Sequence, residues 1–434
     1  MIRSTAFSRM ISRNDSATAE DVSLGSRETV LVHDWLTGMR GGEKCLEAGC
    51  RLLPNAELLT LFHRPGAASD VIERRNIQTS FLQQIPGVFS LYRYLLPLIP
   101  AAMERLAVPH DAELVLSFSH AAAKSVRVPK GVPHVCYCFT PMRYAWDRRR
   151  DYFPLPKRSA NTLKDILSRA RWAAWSVTGE PLLDRLQEWD RRTAQGVTRF
   201  LAASRTVAQR IRRCYGRESH VLYPPVDTEF YRPAPVPRED FLLCVSAIVP
   251  YKRIDLAIKA CERLGQRLIV IGDGPQRQRL QRMAGDRVRF LGRRSNEEIR
   301  DHLRRCKAFL FPGHEDFGIA PVEALACGTP VVAHGQGGVT ESVLPADEQT
   351  LGCGVFFPEQ TAESLATAVR WLQDHSDHID PSLARNQALR FNAPRFQREL
   401  KAHLHAALRD DVPSGNRRRR SPISDAALQS ALGE

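Results

Sequence analysis

The sequence contains no D-x-D, no C-x-x-C, no G-x-G-x-x-G and no run of eighteen unbroken apolar residues. Each absence removes a class of function. D-x-D is a spacing with which carboxylates hold a divalent cation on a diphosphate. No His/Cys cluster has metal-ligand spacing either, so neither a metal nor any other cofactor is expected. The missing dinucleotide fingerprint argues against a redox enzyme, and the missing apolar run against a membrane-spanning helix. Ten cysteines are present, mostly in apolar segments where a free thiol acts as a small hydrophobe. Cys136 and Cys138 alternate along one apparent strand. This usage suits a reducing cytoplasm rather than a disulfide framework. Residues 1–27 carry Arg3, Arg9 and Arg13 but no apolar core, so they do not read as a secretory signal. Asp15, Glu20 and Asp21 also disfavour an organelle transit peptide, which leaves a disordered extension.

What the chain does have is length for two or three domains, at 434 residues, and a net charge of +14. From Pro141 to Tyr215 there are seventeen Lys or Arg against seven Asp or Glu. Such an excess fits either solvated helix faces or an acidic membrane surface, polyanion or phosphorylated substrate. No nucleic-acid recognition motif accompanies it, so nucleic acid is not an expected partner.

Strands and helices alternate. Thr29–His33 reads as a buried strand, followed by a turn with Gly38, Gly41 and Gly42 and a helix over Glu43–Leu53. Strands are expected at Glu57–Phe62, Leu114–Phe118, His134–Phe139, Arg199–Ala203 and His220–Tyr223, with helices at Leu163–Ala174 and Thr206–Tyr215 among the segments between. The Pro86–Pro109 stretch is rich in Leu and aromatics and carries Arg93 and Arg105. It either docks on a membrane surface or packs between domains. Pro97 and Pro100 disfavour one long helix there. A proline-rich linker over 224–238 divides a first domain (28–223) from a second (239–384). In the second, strands are expected at Phe241–Ile248, Arg267–Ile271, Val288–Leu291 and Ala308–Phe311, with helices at Ile254–Leu264, Gln276–Ala284, Glu297–Arg304 and Leu365–Leu372. A terminal helix over 385–410 returns to the first domain. Residues 411–434, with the basic run Arg417–Arg420, form a disordered tail. The expected fold class is α/β, with two Rossmann-like domains facing each other across a cleft.

The most informative stretch is HEDFGIAPVEALACGTPVV, His314–Val332. It reads as a loop, a short helix with Pro321 in its first turn, a turn at Gly328 and a buried strand. Glu315 lies in the loop and Glu323 in the opening turn of the helix, with seven residues between them. A helix N-terminus offers unpaired N–H groups and partial positive charge, and carboxylates beside it accept from hydroxyls. The inference is a site for an anion and a polyol together.

These residues, with VSAIVPYKRIDLAI, IGDGPQ, VRFLGRRSNEE, VHDWLTGMRGGEKCLE, SFSHAAAKSV, CYCFTPMRYAWD, FLAASRTVAQRIRRCYGR and VLYPPVD, give the chain from about Val30 to about Arg409 a resemblance to retaining family-4 (group 1) glycosyltransferases of GT-B fold. The first-half motifs resemble a branch with bacterial mannosyltransferases of O-antigen and exopolysaccharide assembly. The resemblance implies that Glu323 binds the ribose of a nucleotide sugar, that Glu315 contacts the donor sugar, and that backbone N–H groups of Phe317, Gly318 and Ile319 approach sugar and phosphate. It further implies that Lys252 neutralises the diphosphate, with Arg253 assisting, and that His120 faces the donor sugar from the first domain. Gly41 and Gly42 would let backbone approach the phosphates, and Arg143 and Tyr144 would face the acceptor. Two positions depart from the pattern: Ala247 stands where the family usually has arginine, and Phe139 where the branch commonly has histidine.

The expected activity is metal-independent hexosyl transfer with retention, from GDP-mannose to a lipid-linked saccharide in surface polysaccharide synthesis, by a cytoplasmic protein peripheral on the membrane's cytoplasmic face. UDP-glucose or another nucleotide sugar as donor, a nucleotide-sugar epimerase of the same architecture, and a non-catalytic sugar-nucleotide binder are the competing readings.

Overall fold

The computed structural model describes residues 24, 27–91, 95–147 and 163–410. Most of the amino-terminal extension, Arg93, the arginines of 148–150 and the tail from 411 lie outside the described residues. Two sheets organise the chain, both parallel throughout. The first has the order β3-β2-β1-β4-β5-β6-β7, with β1 Thr29–His33, β2 Glu57–Thr60, β3 Ile77–Thr79, β4 Leu114–Ser119, β5 His134–Cys138, β6 Arg199–Ala202 and β7 His220–Val221. The second has the order β10-β9-β8-β11-β12-β13, with β8 Leu242–Val245, β9 Leu268–Ile271, β10 Val288–Gly292, β11 Ala308–Phe311, β12 Val331–His334 and β13 Gly354–Phe357. Central strands such as β1, β4 and β5 are buried along their whole length, as a sheet covered on both faces requires. This is the doubly wound α/β arrangement, twice over.

The longer helices are α1 Gly41–Leu52, α2 Leu163–Ala194, α3 Arg205–Tyr215, α4 Ile254–Leu264, α5 Arg277–Met283, α6 Asn296–Arg305, α7 Ile319–Ala326, α8 Ala362–Asp374, α9 Pro381–Leu389 and α10 Ala393–Asp410. Several differ from expectation for local reasons. The terminal helix is two helices, because Phe391 breaks off to accept from Val226 N–H at 2.8 Å and Asn392 caps Arg395 N–H at 2.8 Å. A side-chain cap followed by Pro394 starts a new helix. α10 then returns to the first domain, where Phe396, Leu400, Leu404 and Ala407 are buried with α1 and β5 residues. α2 runs to Ala194 through Pro181, because Leu183, Leu186 and Trp189 continue one buried face beyond it. β3 and β13 had no counterpart in the sequence reading. β3 is three partly exposed edge residues, a signal too short to read.

The Pro86–Pro109 stretch contributes to the core of the first domain rather than to a seam between domains. It folds as short turns of helix at Val88–Leu91 and Ile99–Glu104, and Val88, Ile99, Met103, Leu106 and Val108 are buried in the first domain's own core beside Val30, Leu59 and Val115. Leu98 of this stretch is exposed. No helix among the described residues is long and apolar enough to cross a membrane. All ten cysteines are free and buried.

Candidate functional site

In an open parallel sheet, ligands bind beyond the carboxyl ends of the strands where successive connections diverge. The first sheet diverges between β1 and β4 and the second between β8 and β11. The loops at these two points carry Asp34 and His120 in one domain, and Lys252 and Glu315 in the other.

In the first domain Asp34 follows β1 and is fully buried. Its Oδ2 accepts from the backbone N–H of His120 at 2.6 Å and Ala121 at 3.1 Å, and its Oδ1 from Ala122 at 2.5 Å and Ala123 at 2.7 Å. His120 Nδ1 lies 2.9 Å from the same carboxylate. Burial alone would raise the carboxyl pKa. The charge and hydrogen bond of His120, with His33 behind it, outweigh burial and hold Asp34 well below the usual carboxylate range. Burial works against the imidazolium of His120, and Asp34 overcomes it, so the His120 pKa is raised. With Nδ1 committed, the imidazole is left with Nε2, on a ring about one-third exposed. Trp35 packs against this ring in a T-shaped pair, at a centroid distance of 4.7 Å.

α1 begins beside this pair. Glu43 accepts from Arg40 N–H at 3.0 Å, closing the first turn. A Cβ on Gly41 would stand 2.9 Å from the Ile319 side chain of the other domain, whereas a Cβ on Gly42 would make ordinary contact with Phe139 at 3.6 Å. Gly41 therefore lets the openings of α1 and α7 meet. Phe139 puts an aromatic wall there, its centroid 6.4 Å from that of His120.

In the second domain Lys252 ends the Pro250–Lys252 turn, and its Nζ pairs with Glu315 Oε2. A Cβ on Gly313 would lie 3.0 Å from Lys252 Cα, so a small residue there allows the two loops to touch. The ammonium also lies 5.6 Å from the Tyr251 ring centroid and 6.0 Å from that of Phe311. Glu315 Oε1 is buried and has no hydrogen-bond partner. No protein group donates to this oxygen, so it can accept from a ligand hydroxyl. Gly318, at φ +89°, caps α7, and a Cβ there would collide with Phe311 at 2.9 Å. The Phe317 side chain is core, packed on Phe391 at 5.4 Å, so only its backbone can serve a ligand.

Glu323 lies in the second turn of α7 rather than the first, because the helix starts at Ile319. It is buried, and its Oε1 accepts from Lys44 Nζ, a residue of α1, at 2.6 Å. Burial disfavours the ammonium of Lys44, but Glu323 outweighs it and raises the lysine's pKa. Arg253 sits at φ +51° with its guanidinium on Asp255 at 3.1 and 3.2 Å and on Gln360 at 3.2 Å. It lines a polar pocket of ≈ 430 Å³ with Tyr251, Gln276, Arg279 and His314, on the flank of the Lys252 turn. Ala247 is exposed.

The acceptor-side pair separates. Tyr144 packs on the first-domain core. Arg143 reaches across to Asp316 at 3.3 Å and to the Tyr251 ring, 5.7 Å from its centroid. Arg210 of α3 joins it on Asp316, whose backbone carbonyl accepts from Ser204 Oγ at 2.5 Å. Glu341 caps α3 from the other domain, taking Arg205 N–H at 2.8 Å and Thr206 N–H at 3.0 Å. Part of the basic excess of 141–215 is thus spent on the domain interface. The loop bearing Arg143 is anchored in turn by Trp146 Nε1, which donates to the fully buried Asp190 at 2.8 Å beside Lys124 at 2.5 Å.

Asp34, Lys44, Asp316 and Arg210 did not stand out in the sequence. Asp34 and Lys44 lie inside VHDWL and GGEKCLE, but nothing local shows that one will bind His120 and the other Glu323, 279 positions away. Among the described residues no group of three or more His, Cys, Asp or Glu side chains is arranged to hold a metal ion.

The family of glycosyl transferases group 1 matches residues 227–386. Among curated relatives, a GDP-mannose-dependent alpha-(1-6)-phosphatidylinositol monomannoside mannosyltransferase of Mycolicibacterium smegmatis is 32% identical over 177 residues, covering 34% of this chain and 45% of the relative. A D-inositol 3-phosphate glycosyltransferase of Mycobacteroides abscessus is 33% identical over 172 residues, covering 34% and 38%. The matched segments span less than half the length of these relatives. Among solved structures, HepE of Anabaena in complex with UDP superposes with a TM-score of 0.61 at 16% identity, covering 87% of this chain and 100% of HepE. Sucrose-phosphate synthase from Thermosynechococcus elongatus gives 0.61 at 16% identity, covering 89% and 100%. The chain therefore has the GT-B fold, and its second domain belongs to the glycosyl transferases group 1 family.

Proposed function

We propose that the protein is a retaining, metal-independent glycosyltransferase that moves mannose from GDP-mannose to a lipid-linked saccharide. The observation that carries the transferase reading is the buried, unpartnered Glu315 Oε1 beside Lys252 at the opening of α7. Transfer from a nucleotide diphosphate sugar must stabilise an oxocarbenium-like centre and a leaving diphosphate. Lys252 and the first-turn amides of α7 supply positive charge for the second task, and Glu315 accepts from hydroxyls of the sugar. Glu323 takes the ribose hydroxyls, and His120 presents Nε2 from the first domain. The bond from the anomeric carbon to the diphosphate oxygen breaks as the bond to the acceptor oxygen forms on the same face. The acceptor's proton passes to the departing phosphate oxygen.

The donor and the lipid acceptor are supported by the Mycolicibacterium relative, whose name gives GDP-mannose and a phosphatidylinositol-linked mannoside. The Pro86–Pro109 stretch lends this reading little support, since Val88, Ile99, Met103, Leu106 and Val108 are buried in the first domain's core. A thermal-shift screen of nucleotide sugars tests the donor, because a ligand bound only by the folded state raises apparent stability. GDP-mannose is expected to give the largest shift, and a larger shift with UDP-glucose would reassign the donor. Product analysis with donor alone tests the class: conversion without an acceptor would make the protein an epimerase. Transfer is expected to persist in excess chelator, and a strict metal requirement would sink the metal-independent mechanism. Co-sedimentation with acidic vesicles at low salt tests the peripheral location.

A further inference from the structure

Glu323 and Lys44 come from different domains, and their contact is a charged one across the cleft, Nζ to Oε1 at 2.6 Å. The two side chains are unequally held. That of Glu323 is 8% exposed, packed within α7, whereas that of Lys44 is 33% exposed on a four-carbon stem. Lys44 is the partner free to move. It also occupies an awkward place for a cation. It lies in the opening turn of α1, whose Gly41 abuts Ile319, the first residue of α7. Two helix N-termini, each with partial positive charge and unpaired amides, converge beside it. The ammonium is held by Glu323 first and Asp227 after it, with the Tyr231 ring centroid 5.7 Å away. An anion entering between the two helix openings relieves the field of both.

We propose that Lys44 is a donor-binding residue: when a nucleoside diphosphate enters, its ribose hydroxyls replace the ammonium on Glu323, and Lys44 transfers to the diphosphate oxygens. The first domain then contributes a lysine, alongside His120, to a site whose Glu315, Lys252 and Glu323 belong to the second. The inference rests on the nucleotide-sugar reading of the cleft and goes beyond it, since nothing in that reading requires a lysine from α1. The exchange replaces one ion pair across the cleft by two contacts to the nucleotide, while Arg143 and Arg210 on Asp316 and Glu341 on α3 still join the domains.

The test is titration calorimetry with guanosine, GMP and GDP, run in parallel with uridine, UMP and UDP, on wild type, Lys44→Met, Lys44→Arg and Glu323→Ala. The loss of one charge-assisted hydrogen bond predicts diphosphate affinity about tenfold or more weaker in Lys44→Met. Nucleoside affinity is expected to hold or rise, since a competitor for Glu323 is gone, and Lys44→Arg should bind diphosphate within about threefold of wild type. Wild-type diphosphate affinity in Lys44→Met, or an equal loss for nucleoside and diphosphate, overturns the proposal. If Glu323→Ala loses nucleoside affinity while Lys44→Met binds diphosphate normally, the nucleotide reading survives and the role of Lys44 does not. If wild type binds neither diphosphate, both fall. Should the lone buried carboxylate prevent Lys44→Met from folding, Lys44→Met with Glu323→Gln compared with Glu323→Gln alone gives the same readout.

Discussion

The two divergence points of the sheets each pair a carboxylate with a basic side chain, in opposite states. In the first domain Asp34 is fully buried and saturated, with four backbone N–H groups and His120 on its two oxygens. In the second, Glu315 keeps one oxygen on Lys252 and leaves the other buried without a partner. A saturated carboxylate can only orient its neighbours. An unsaturated one holds capacity in reserve for a ligand, at a cost to the empty protein. The difference separates a carboxylate that holds the His120 ring and its loop in place from one that can still accept from a ligand.

The comparison breaks most readily at Glu315. Glu315→Ala is expected to lower kcat on the order of 10²–10³-fold, as for loss of one preorganised electrostatic group, with a melting temperature near wild type. A variant that melts early while its remaining folded fraction turns over normally would make Glu315 structural. Asp34→Asn should do the reverse in stability. Removing a buried charge from four N–H groups and an imidazolium costs about 3 kcal/mol in denaturant unfolding. Turnover should fall as well, with a changed pH profile, because His120 loses the partner that raises its pKa.

The pair also predicts a pH signature. The raised pKa of His120 contributes stability that is complete below its unfolded value of about 6.5 and is lost as pH rises through the folded value. The depressed pKa of Asp34 contributes stability present above about 3.9 and lost as pH falls through its folded value. The gap in melting temperature between wild type and His120→Gln should therefore narrow as pH is raised from about 6 towards 9. A constant gap would mean that His120 binds Asp34 as a neutral ring. The smallest effect is expected at the interface. Arg210→Ala should cost about 1 kcal/mol, since Arg143 stays on Asp316, and small-angle scattering should show at most a slight opening of the domains.

How much of this was legible follows from how local each signal is. Ile254–Leu264 and Ala308–Phe311 coincide with α4 and β11 because spacing and boundary residues agree there. At Pro86–Pro109 apolar content shows that residues are buried but not that they pack in the first domain's own core. That Arg143 reaches Asp316 is not legible in the sequence, since a long side chain's destination depends on what lies across the cleft.

By itself the sequence determined the alternation of strands and helices, the two-domain α/β architecture, and the short helix around Glu315 and Glu323. All of these are set by periodicity, glycine and proline placement, and residues within a few positions of each other. The tertiary structure alone decided that Asp34 would saturate itself on the His120 loop and that Lys44 would cross to Glu323. It also decided that Gly41 would let two helix openings touch. Each of these is a meeting of residues far apart in the chain. Their geometry comes from sheet order and domain closure, and no local pattern encodes it.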